Sequence, residues 1–140
     1  MRDLDPLALA RVEVLDGWSI ELEEGYSREV EPQGTVVLSN DETTIRATIE
    51  GPADRGLREP ASAGDMLGDD LGEPHELPGG TLVAVGEEFE EDIDGAPAWG
   101  LPVAAARPNE LLSLYFHGHS PGLFAWVPAA AETITYRESG

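Results

Sequence analysis

Residues 18 to 23 read Trp-Ser-Ile-Glu-Leu-Glu, with apolar and polar side chains alternating at every step. Only an extended backbone sends successive side chains to opposite faces, so this stretch predicts a strand that buries Trp18, Ile20 and Leu22 and shows Ser19, Glu21 and Glu23 to solvent. The same period recurs in "TVVLS" (35–39) and "TTIRATIE" (43–50), where Ile45, Ala47 and Ile49 oppose Thr44, Arg46, Thr48 and Glu50. The short Asn40-Asp41-Glu42 link between these two runs predicts an antiparallel hairpin.

Further runs follow at "TLVAVG" (81–86), "EEFEEDI" (87–93), "PAWGLPVAA" (97–105), "LLSLYFHG" (111–118) and "ETITYRE" (132–138). Asp94-Gly95 marks a second hairpin turn. Pro102 has no N–H to give a ladder, so its strand is expected at an edge or bulged there, with Trp99, Leu101 and Val103 on one face. Alternation sends Leu112, Leu114 and Phe116 inward and Ser113, Tyr115 and His117 outward. Phe124 and Trp126 are expected to plug the core, and Pro128 to limit any helix around them.

No strand–helix–strand alternation is present. The expected class is therefore mainly β (α+β), an antiparallel sandwich or curved sheet of about eight short strands with one short helix near residues 61–71. Ala61, Met66, Leu67 and Leu71 would line one side of that helix and Ser62 would cap it, although Gly64 and Gly68 weaken it. It lies within a long Gly/Pro/acidic connection, residues 51–80. The 140 residues suit a single domain, 1–140.

Charge limits function. The chain has 28 acidic residues against 8 arginines and no lysine, a net charge of −20. Such a field repels nucleic acid and anionic membranes and attracts basic proteins. Cysteine is absent, which removes disulfides, thiolate zinc sites and thiol nucleophiles. The N-terminal residues lack the apolar core of a signal peptide, and no stretch approaches the ~20 apolar residues of a membrane span. The expectation is a soluble, cytoplasmic protein with no cofactor.

Gly118-His119-Ser120-Pro121-Gly122, following an apolar strand, resembles the nucleophile elbow of the α/β-hydrolases, which would make Ser120 the nucleophile. No histidine follows Ser120, and Pro121 has no N–H for an oxyanion hole. His117 and His119 share the H-x-H spacing of metal enzymes such as the cupins, with His75 a third candidate ligand. A cupin would carry a glutamate four or five residues beyond the second histidine, where Leu123 and Phe124 stand. The segment therefore reads as a tight turn. A small metal-dependent or hydrolytic enzyme using it is the alternative.

Two acidic clusters remain, Glu21 to Glu31 and Gly86 to Gly95. Their candidate binding residues are Glu21, Glu23, Glu24, Tyr26, Glu88, Glu90 and Asp92, with Phe89 expected in the core. A ladder of like charges on one strand face is unfavourable unless a partner or cations screen it. The leading expectation is a non-enzymatic acidic module of the immunity, inhibitor or secretion-chaperone type that engages a basic protein partner. A DNA-mimic inhibitor of a nucleic-acid-binding protein is a further alternative.

Overall fold

The computed structural model describes residues 9–15, 17–23, 25–68, 71–119 and 123–137. Their strands and helices run in the order β1 (Leu9–Leu15), β2 (Trp18–Glu23), β3 (Ser27–Val30), β4 (Val36–Ser39), β5 (Thr43–Glu50), α1 (Ala63–Leu67), β6 (His75–Glu76), β7 (Leu82–Val85), β8 (Phe89–Ile93), β9 (Ala96–Arg107), β10 (Glu110–Gly118), α2 (Leu123–Ala131) and β11 (Thr135–Tyr136). All strand pairs are antiparallel. A large sheet has the order β3-β4-β5-β10-β9-β7-β6, with β8 also on β9, and a small sheet has the order β1-β2-β11. The mainly β expectation holds. Alternation did not mark β1, β3 or β6.

The turns follow their residues. Asn40 Oδ1 accepts hydrogen bonds from the backbone N–H groups of Glu42 and Thr43 at 2.9 and 2.7 Å, closing the β4–β5 hairpin. Asp94 and Gly95 both have positive φ, 54° and 82°, as a two-residue turn of the type favoured by right-twisted strands requires.

The two faces of the large sheet are covered differently. On one, Leu38, Ile45, Leu101, Val103, Leu112, Leu114 and Phe116 form a core with Trp18, Ile20 and Leu22 of the small sheet and Val127 and Ala131 of α2. On the other, α1 brings Met66 and Leu67 against Ala84, Ala104, Ala106 and Leu111, with Ala61 and Leu71 joining them. The Ser62 side chain caps α1 by accepting from Asp65 N–H at 3.0 Å. The 51–80 connection is also clipped to the sheet by Asn109, whose Oδ1 accepts from Ala61 N–H at 2.7 Å while its own N–H donates to Ala61 C=O at 2.9 Å.

Two expectations are corrected. β9 is central, flanked by β10 on one side and by β8 and then β7 on the other. Pro102 is tolerated because it falls between the residues paired with β8 and those paired with β7, and its carbonyl accepts from Gly86 N–H at 2.8 Å. In an extended strand a residue's N and C=O face the same side, so the missing donor points into that gap rather than toward β10. Helix α2 runs on past Pro128 to Ala131. Burial of Val127, Ala130 and Ala131 outweighs the lost hydrogen bond. Trp126 packs edge-on against Phe116, centroids 5.7 Å apart. The Phe124 side chain lies outside the described residues.

Candidate functional site

The outer face of the large sheet beyond α1 carries a polar and aromatic strip built by register. Gly100 pairs with Phe89 on one side and His117 on the other, and Tyr115 pairs with Pro102 and Arg46. Tyr115 lies over Gly100, where an added Cβ would overlap its hydroxyl and approach Glu91 Oε2 to 2.9 Å. A strand-interior glycine here admits the tyrosine ring across β9. The ring is stacked between Phe89 and His117, with centroids at 6.0 and 5.2 Å. Its hydroxyl donates to Glu91 Oε2 at 2.5 Å. Burial first, then the hydrogen bond and charge of Glu91, push the Tyr115 hydroxyl well above the usual phenol range.

Phe89 is 43 % exposed, which corrects its expected place in the core. It shares a face with Gly100, while Glu90 shares that of Trp99, so β8 carries Phe89 and Glu91 on one side and Glu90 and Asp92 on the other, as alternation indicated. The core ends before the hairpin tip, because β10 stops opposite Trp99.

Glu23 of the first cluster, two acidic residues of the β4–β5 turn and the second cluster lie toward one end of the sheet. Glu90 pairs with Trp99, Trp99 with Gly118, and Gly118 with Thr43, a row of four strands. At 4.7–4.9 Å per strand, Glu90 and Thr43 are about 14 Å apart. Beside Thr43, Glu23, Asp41 and Glu42 line a recess of about 270 Å³. Glu90, Glu91 and Asp92 line another of about 400 Å³ with Pro97. Tyr26 is half-buried here, its hydroxyl raised by burial and further by the charges of Glu23 and Glu42, against hydrogen bonds from Thr43 and Asn40. Glu21 is held apart, its carboxylate paired with Arg11 at 2.8 Å. Glu88 precedes β8, and Glu24 lies outside the described residues.

The histidines do not converge. His75 pairs with Val83, whose row continues through Ala105 to Leu112. That row is five residues along β10 from His117 and three strands away from it, roughly 20 Å. His119 Nδ1 is 3.1 Å from Pro97 O. His117 Nε2 is buried without a hydrogen-bond partner, and burial lowers its pKa against the opposing pull of Glu91. Among the described residues no group of three or more His, Asp or Glu is arranged to hold a metal. Ser120 lies outside the described residues.

The strip escaped sequence reasoning because Tyr115, Glu91 and Gly100 are joined only by strand pairing. Tyr115 and His117 on one outward face were the available signal.

No family model and no curated protein matches the chain. Among solved structures it is similar to a protein of Bacteroides thetaiotaomicron VPI-5482, with a TM-score of 0.60 and 12 % identity. That similarity covers 89 % of this chain and 46 % of the other, so the chain spans about half of that protein's length. Cyanobacterial PsbP of Synechocystis sp. PCC 6803 aligns over 98 % of this chain and 97 % of its own, at a TM-score of 0.46 and 10 % identity. No helix among the described residues is long and apolar enough to cross a membrane. At these identities the Bacteroides likeness establishes a shared fold and nothing of function.

Proposed function

We propose that the protein is a non-enzymatic acidic binding module that docks a basic segment of a partner protein at the β8–β9 end of the large sheet, in the manner of an immunity, inhibitor or secretion-chaperone protein. One observation carries the reading: acidic residues far apart in sequence, Glu23, Asp41 and Glu42 on one side and Glu90, Glu91 and Asp92 on the other, flank a single sheet end, beside the exposed Phe89. A basic segment wrapping the β8 edge meets the Glu90 and Asp92 carboxylates on one face for charge pairing and the Phe89–Tyr115 stack on the other for a cation–π contact. The net charge of −20 adds long-range steering.

An arginine-rich peptide is the direct probe, measured by fluorescence anisotropy against the wild type and E42Q/E90Q/D92N. The reading expects saturable binding at low salt that the triple variant weakens at least tenfold. Binding unchanged in that variant, or absent in the wild type, overturns it. E59Q/E73Q/E76Q removes the same charge away from this end and is expected to bind as the wild type does.

A further inference from the structure

A cleft of about 1000 Å³ lies elsewhere, on the small sheet. Arg11, Arg28 and Arg137 line it, three of only eight arginines in a chain with 28 acidic residues. They come from β1, the β3 edge and the residue after β11. Arg11 spans the outer face of the small sheet, donating to Ser19 Oγ, Thr133 C=O and Thr135 Oγ1, and pairs with Glu21. Arg28 is clamped through Nε and Nη2 to Val14 C=O at 3.3 and 3.1 Å. Among the described residues neither Arg28 nor Arg137 has a carboxylate in salt-bridge range, although Glu13 lines the same cleft.

The pattern runs against the composition. With acids outnumbering arginines more than threefold, surface guanidiniums should readily find carboxylates, and four described arginines do. The cleft is also rigidly framed. Arg137 N–H donates to Gly17 C=O at 2.8 Å, and Gly17, at φ 96°, lies where a Cβ would come within 2.5 Å of Arg137 O. Trp18 borders the cleft, with its side chain fully buried in the core. A guanidinium held on a backbone carbonyl and a second one with no side-chain hydrogen bond among the described residues make a pair of anion-recognising groups.

We propose that this cleft binds a small organic anion, whose carboxylate or phosphate group is held by the guanidiniums of Arg28 and Arg137. Its volume is at the upper end of small-molecule sites. The acidic surround repels anions elsewhere on the molecule, so occupancy depends on these short-range contacts. The site is separate from the acidic end and does not depend on the partner-binding reading.

The test is an NMR titration of the full chain with inorganic pyrophosphate and, in a second arm, citrate, following the arginine Nε–H signals. Saturable shifts of Arg28 and Arg137 up to about 10 mM, ten times a millimolar Kd, are expected with at least one probe. Response to pyrophosphate alone assigns a phosphate ligand, and response to citrate alone a carboxylate. Arg137→Gln, whose side chain makes no hydrogen bond among the described residues, should weaken binding at least tenfold, as should Arg28→Gln. Arg46→Gln, away from the cleft, should leave it unchanged. No saturable shift with either probe, or shifts that persist undiminished in Arg137→Gln, would overturn the proposal.

Discussion

Gly100→Ala tests how the outer strip is built. Gly100 sits in β9 without a positive φ, so alanine meets no backbone penalty, and its cost must come from what the methyl touches. It overlaps the Tyr115 hydroxyl, lies 2.8 Å from the ring carbon Cζ, and approaches Glu91 Oε2 to 2.9 Å. The ring must swing away, which breaks its hydrogen bond to Glu91 and its stacking on Phe89. Overpacking typically costs about 1–3 kcal/mol, and the hydrogen bond, half-exposed, adds about 1 at most, so relaxation of the ring into solvent brings the total to about 1–3 kcal/mol. At an m-value of about 2 kcal/mol per M, the urea midpoint falls by about 0.5–1.5 M. A double-mutant cycle with Tyr115→Phe completes the assay: once alanine has displaced the ring, removing its hydroxyl should cost nothing further. Gly100→Ala within about 0.5 kcal/mol of wild type, with Tyr115→Phe costing the same in both backgrounds, refutes the packing argument.

Phe116→Ala, removing a fully buried ring that packs on Trp126, should cost about 3–5 kcal/mol by chemical denaturation. Ser62→Ala should cost about 1 kcal/mol in the same assay through loss of the α1 cap. The folded state holds the Tyr115 proton more tightly than the unfolded chain does, so its contribution is complete below pH 10 and lost as pH rises further; the alkaline arm of a stability profile should flatten in Tyr115→Phe. His117 has the opposite sign. Its lowered pKa favours the neutral ring, so its contribution is present above about pH 6.5 and falls as pH drops below that value; His117→Gln should remove that part of the decline, read from urea midpoints at pH 7.5 and 5.5.

Strands with one wet face were legible. Trp18, Ile20 and Leu22 are buried as alternation required, and so are Leu112, Leu114 and Phe116. The β4–β5 and β8–β9 turns were written in Asn40 and in Asp94-Gly95. β3 was not, because all four of its residues are exposed and no buried face imposes a period. Phe89 was misjudged because hydrophobicity says where a side chain would gain from burial, not where the core stops. Pro102 misled because the change of pairing partner along β9 depends on strands remote in sequence. Glu23 and Glu90 to Asp92 were visible within the acidic clusters, whereas Asp41 and Glu42 read only as a hairpin link, and their common place at one end depends on a four-strand register. The arginine cleft was invisible for the same reason, since Arg11 and Arg137 stand at opposite ends of the chain.

Affinity capture from native lysate with mass spectrometry, using wild type, E42Q/E90Q/D92N and E59Q/E73Q/E76Q as parallel baits, tests the partner-binding reading most directly. Raising salt from about 50 to 500 mM shortens the screening length from about 14 to about 4 Å. A basic polypeptide retained at low salt by the wild type and by the second variant, released at high salt and missed by the first variant, is the predicted result. The same polypeptides held by all three baits, regardless of salt, would contradict it.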